Sequence, residues 1–178
     1  MSSLTNRTFA HFTKTGRGGL GISEIPKDGF CISVFLIIRE RNNPRRVLMG
    51  YINSRANWDH IGALDPERVR AHSNGWMLPS CHIMYGESPS DAAQRVAREQ
   101  LGVDKIKLSE PKVFSEVYAP VRHPEAKGHW DLQFLFEGKL PNSLFRKQIP
   151  NAWTRLEFVD IDKENKMARS HGDILARF

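Results

Sequence analysis

The stretch "GWMLPSCHIMYGESPSDAAQRVAREQLGV" (75–103) sets two carboxylates, Glu87 and Glu99, on either side of an arginine, Arg95. Hard cations such as Mg²⁺ prefer carboxylate oxygens, and a bound cation can stabilise charge on phosphate oxygens and activate a water. On a helix, positions 96, 99 and 100 lie three or four apart and share one face. They hold Val96, Glu99 and Gln100, so that face carries one charge. A valine ligates nothing, and a neutral amide oxygen is a weaker ligand than a carboxylate. Mg²⁺ or Mn²⁺ is therefore expected to bind weakly.

Several elements must position these residues. Ser88 is suited to cap a helix, Pro89 to open it, and Gly102 to end it. Ala92, Ala93, Val96, Ala97 and Leu101 follow helical spacing between those marks. Before the helix, "FCISVFLII" (30–38) reads as a buried strand, "RNNPRR" (41–46) as a turn and "VLMGYI" (47–52) as the antiparallel partner. Residues 53–74 are polar, with one helical turn expected at 65–72, and "GWMLP" returns to an extended form. Beyond the helix, 105–120 and 129–138 read as strands joined by a loop at 121–128. Residues 154–161 read as a last strand, and 164–178 as a terminal helix burying Met167, Ile174, Leu175 and Phe178. Strands, helix, strands, helix without βαβ alternation predict an α+β fold, an α/β/α sandwich. The expected organisation is an N-terminal arm at 1–29 and one domain at 30–178. "GRGGLG" (16–21) lacks the preceding strand and following helix of a dinucleotide fingerprint.

Charge narrows the partners. Twenty-six Lys and Arg against twenty Asp and Glu give +6 and a pI near 9.5. That favours an anionic small molecule such as a nucleotide or phosphorylated metabolite, with nucleic acid a weaker reading because the basic residues are dispersed. The longest apolar run, Phe30 to Ile38, is far short of the ~20 residues that span a bilayer, so no membrane partner is expected. The first residues lack the apolar core of a secretory signal. Cys31 and Cys81 are the two cysteines, and no Cys/His spacing suggests zinc. A reducing, cytoplasmic setting is the expectation. The long arm is compatible with a homodimer.

Taken together, residues 75–103 resemble the Nudix box: Gly, five residues, Glu, seven residues, Arg-Glu-apolar-any-Glu-Glu-any-Gly-apolar. Glu87 takes the first Glu position, Arg95 the Arg, Ala97 the apolar position, Glu99 the first paired Glu, and Gly102 and Val103 close the box. "WMLP" (76–79) and "GES" (86–88) also match. The box is degenerate: Cys81 replaces its leading glycine and Ser80 the glycine before, Val96 replaces the Glu after Arg, and Gln100 replaces the second paired Glu. A Cβ at 80 and 81 restricts the backbone there to ordinary dihedrals.

The resemblance implies a mixed sheet between helices and a Nudix-type hydrolase of a nucleoside diphosphate linked to another group, weak or altered because the carboxylate cluster is incomplete. It implies Glu99, Glu87 and Arg95 as catalytic residues, Arg95 and Glu87 also forming a structural ion pair. Glu99 with Glu116 would hold metal, and His82, Trp76 and Tyr85 would bind substrate. Glu125, Asp131 and His129 are further compensating candidates, and Trp58 and Trp130 could stack on a base. Each is also an ordinary strand, core or surface residue. Two other readings stand beside hydrolysis: a non-catalytic Nudix-fold protein that binds a nucleotide or phosphorylated ligand, and a basic RNA or protein interaction module. An isomerase branch of the same fold would use Cys81 and Glu116.

Overall fold

The computed structural model describes residues 11–12, 30–64, 66–118, 129–145, 148–163, 165–168 and 171–177. Its strands are β1 (His11–Phe12), β2 (Phe30–Glu40), β3 (Asn43–Ile52), β4 (Ser80–His82), β5 (Lys112–Tyr118), β6 (His129–Leu140) and β7 (Trp153–Asp160). Its helices are α1 (Trp58–Gly62), α2 (Pro66–His72), α3 (Pro89–Leu101) and α4 (His171–Leu175). The main sheet runs β5-β6-β2-β3-β7, with β1 and β4 also paired to β2. The β2–β6 pair is parallel, while β3, β4 and β1 run antiparallel to β2, so the sheet is mixed.

Strand β2 explains the layering. Alternate side chains of a strand point to opposite faces. Val34, Leu36 and Ile38 pack with Ala93, Val96, Ala97 and Leu101 of α3. Phe35 and Ile37 pack on the other face with Leu135 and Ile174 of α4. Both faces are covered, which is why "FCISVFLII" reads as a near-continuous apolar run, broken only by Ser33, rather than an alternating one. The fold is an α+β sandwich with a mixed sheet between helices.

The structure departs from the expected elements in several places, and the strand read at 105–120 begins only at Lys112. The β2–β3 turn is two residues long, with Glu40 opposite Asn43, so Pro44 lies inside β3. Pro44 is tolerated there because β7 begins its pairing only at Arg46, leaving no partner that needs a proline N–H. Helix α1 gives no signal in the sequence, being too short for its periodicity to register. Trp58 anchors it, buried edge-on against Trp153 with centroids 5.2 Å apart, and its Nε1 donates to Ala152 O at 3.2 Å. The terminal helix spans only His171–Leu175, not 164–178. The preceding chain instead brackets Trp76, whose N–H donates to Lys166 O at 2.9 Å and whose O accepts from Ala168 N–H at 2.8 Å. Ile174 is buried and Met167 and Leu175 are partly buried, while Phe178 and the 121–128 loop lie outside the described residues. Among the described residues, no helix is long and apolar enough to cross a membrane.

Candidate functional site

Helix α3 forms where its end signals place it. Ser88 Oγ accepts from Asp91 N–H at 3.1 Å, Pro89 opens the first turn, and Gly102 closes the last with φ +66°. The helix buries Val96 and Gln100 completely. Glu99 is the α3 box carboxylate that solvent reaches, with its side chain 20% exposed.

Arg95 holds the loop before the helix. Its Nε and Nη2 grip Glu87 Oε1 and Oε2 at 2.7 and 2.8 Å, a two-pronged ion pair. Nη2 also donates to His82 O at 3.1 Å and to Cys81 Sγ at 3.3 Å, and Nη1 lies 3.9 Å from Glu99 Oε2. Glu87 Oε2 further accepts from Met84 N–H at 2.9 Å, and Glu87 N–H donates to Met84 O at 3.0 Å. Both oxygens of Glu87 are thus engaged in holding the loop. Burial alone would lower the Arg95 pKa, but its hydrogen bonds with Glu87 and the nearby anionic groups outweigh that and hold it above its usual range.

The Cβ atoms at 80 and 81 cause no strain, because Ser80 and Cys81 lie in the extended strand β4. Cys81 is buried beside Arg95. Burial pushes its thiol up to about 12, an effect the Arg95 cation only partly offsets. At neutral pH it is a protonated thiol and a poor nucleophile, which counts against the isomerase reading.

Gln100 is fully buried and occupied by the protein itself. Its Oε1 accepts from Ser80 N–H at 3.1 Å, and its Nε2 donates to Ser80 O at 2.7 Å and Ile61 O at 3.1 Å. Its backbone O accepts from Trp153 Nε1 at 2.7 Å. Trp153 can lie over β3 because Gly50 stands beneath it; a Cβ there would come within 2.4 Å of the ring. In the sequence Gln100 reads only as a weakened ligand, because its partners Ser80, Ile61 and Trp153 are distant along the chain. The available signal was a carboxamide at a helix position facing the core, where donors as well as acceptors are needed.

The remaining candidates scatter. His82 follows Cys81 in β4 and so takes the opposite face, opposite Ser33 of β2. Glu116 lies on that same face of β5, opposite Asp131, and forms an ion pair with Arg177. Asp131 is buried and accepts from Ser33 Oγ at 2.8 Å and Gln133 Nε2 at 3.2 Å. Trp76 is buried edge-on against Tyr51 at 4.7 Å, with the Arg155 guanidinium 4.8 Å above its ring. Tyr85 is 72% exposed at the loop tip. Glu125 and the side chains of His129 and Trp130 lie outside the described residues. The structure therefore gathers Glu87, Arg95 and Glu99 with Cys81, and puts His82 and Glu116 on the face away from α3.

These residues do not fit a box metal. Val96 is in the core, the Gln100 oxygen faces Ser80, and Glu87 is held by Arg95. Among the described residues no group of three or more His, Cys, Asp or Glu is placed to hold an ion.

No protein-family model and no curated protein matches the chain. Solved structures do. A MutT protein from Methanosarcina mazei is 14% identical with a TM-score of 0.56, covering 83% of this chain and 91% of that one. A mutT/nudix family protein from Listeria innocua is 20% identical with a TM-score of 0.53, covering 83% and 90%. The NUDIX domain of Shewanella oneidensis NrtR, solved with ADP ribose, is 11% identical with a TM-score of 0.54, covering 83% and 84%. The fold is that of the Nudix superfamily.

Proposed function

We propose that this protein binds a nucleoside diphosphate linked to another group, and that α3 acts as a scaffold for the binding loop rather than a metal cradle. The observation that carries this reading is the fate of the box positions. Glu87 is locked in the Arg95 fork and Val96 is core, leaving Glu99 as the box carboxylate of the helix that solvent reaches. One carboxylate beside a buried arginine is a poor seat for a hard cation. The excess of positive charge suits an anionic ligand, and the NrtR domain that shares the fold was solved with ADP ribose.

Slow hydrolysis of the same ligand is the second reading. It is favoured by Glu99, whose carboxylate keeps access to solvent. Calorimetric titration with ADP-ribose, in Mg²⁺ and then in chelator, with chromatography of the products, separates the two. The scaffold reading expects binding that chelator leaves unchanged and no turnover. Cation-dependent product formation supports hydrolysis instead, and absence of binding overturns the choice of ligand.

A further inference from the structure

We propose that Gln100 is a positioning residue: its carboxamide clips the main chain of Ser80 and so holds the box loop in place without a cation. The inference rests on the reading that ligand binds at this loop, but the clip itself is testable without any ligand.

The chemistry is specific to an amide. A carboxamide offers one acceptor oxygen and two N–H donors, whereas an ionised carboxylate only accepts. Gln100 uses the acceptor on Ser80 N–H and the donors on Ser80 O and Ile61 O. It thereby pairs both main-chain groups of one residue, as a neighbouring strand would. The contact joins three elements, since Ser80 opens β4, Ile61 belongs to α1 and Gln100 to α3. The Trp153 Nε1 bond to the Gln100 backbone adds β7.

A glutamate at this position would keep the Ser80 N–H bond and set its second oxygen against two carbonyl oxygens. Gln100 is 0% exposed, so water could not relieve that repulsion. Reinstating the carboxylate of the Nudix pattern would therefore not restore a metal ligand. It would open the clip, and Cys81, next to Ser80, would be the first buried group released.

The test uses the full chain with Gln100→Glu and Gln100→Met. Thermal unfolding, Mn²⁺ titration and mass-resolved thiol labelling are followed at several pH values. Gln100→Glu should lower Tm by roughly 5–15 °C at neutral pH. Because burial raises the pKa of the new carboxyl above its unfolded value, stability is present at low pH and lost as pH rises through the folded pKa. Its Tm should thus approach that of the wild type on acidification, when the protonated carboxyl can donate again. Gln100→Met should lose stability without that recovery. Labelling of Cys81 should quicken by about tenfold or more in Gln100→Glu while Cys31, in the central strand, stays protected, as local opening requires.

Equal acceleration at both cysteines would reduce Gln100 to a general stabiliser and overturn the proposal. So would a Gln100→Glu variant with unchanged Tm and at least about tenfold tighter Mn²⁺ binding, since the side chain would then have turned outward. Failure of the wild type to bind ADP-ribose would sink the functional reading alone and leave these outcomes intact.

Discussion

Arg95 and Glu87, eight residues apart, meet through two parallel hydrogen bonds of 2.7 and 2.8 Å, with side chains only 3% and 10% exposed. The pair is buried, so its removal is not symmetric with its formation. Deleting one partner strands the other charge away from water, which typically costs about 3–5 kcal/mol. Arg95→Met should therefore lower unfolding stability by about that amount, and Glu87→Gln by less, because the amide oxygen can still accept one bond. Urea unfolding at neutral pH measures both. An Arg95→Met variant within about 1 kcal/mol of wild type would contradict the scaffold role of the fork.

The Cys81 thiol gives a pH signature. Its pKa is pushed from an ordinary value of 9.0 up to about 12 by burial. The folded state thus binds the thiol proton more tightly than the unfolded state does. The associated stability is fully present below about pH 9 and declines as pH rises toward 12. Cys81→Ala should flatten that alkaline decline relative to wild type. Comparing unfolding midpoints of the two proteins across the range checks it, and parallel curves would refute it.

Much of the fold could be read from the sequence because its signals are local. The apolar run of β2 needs no partner to be recognised, and the Ser88, Pro89 and Gly102 marks bound α3 from within its own segment. What the sequence hid depends on distant contacts. Helix α1 is a single short turn held by Trp58 against Trp153, ninety-odd positions away. Lys166 and Ala168 are not in a helix but bond to the main chain of Trp76. At the site, Glu87, Arg95 and Glu99 come together as their spacing implied, yet His82 is turned from Cys81 by strand alternation alone. Gln100 could be counted as a missing carboxylate from the sequence, but Ser80, Ile61 and Trp153 had to be seen around it before its work was evident.

Val96 offers a second check on the idea that the box has become core. Its side chain is fully buried among Val34, Leu36 and Ala93. Val96→Glu would place a carboxyl in an apolar cluster without a hydrogen-bond partner, at a cost of roughly 3 kcal/mol or more. Val96→Ala, which only leaves a cavity, should cost about 1–3 kcal/mol. The expected order of thermal stability is wild type, then Val96→Ala, then Val96→Glu, with Mg²⁺ failing to rescue the last.

His171 ties the C-terminal helix to the strand segment that leads into the box. Its Nδ1 accepts from Leu78 N–H at 2.9 Å, and its ring stands edge-on to Phe35 at 5.3 Å. His171→Ala removes both contacts and leaves a buried N–H without its acceptor, a loss of about 1–3 kcal/mol. Hydrogen exchange at Leu78 should accelerate far more than exchange in the centre of β2. Unchanged protection at Leu78 would show that the bond is dispensable.

Glu99 is the α3 carboxylate at a box position that solvent reaches, and its Oε2 lies 3.9 Å from the Arg95 Nη1. A divalent ion seated there would face a guanidinium that Glu87 keeps charged, so repulsion would offset much of the carboxylate's attraction. Exhaustive chelation should consequently leave Tm within about 1 °C of its value in Mg²⁺, because a ligand whose Kd lies far above its concentration shifts stability little. Glu99→Gln should behave identically in both conditions. A cation-dependent rise of several degrees in wild type, abolished by Glu99→Gln, would instead place a working ion on this helix and favour hydrolysis over binding.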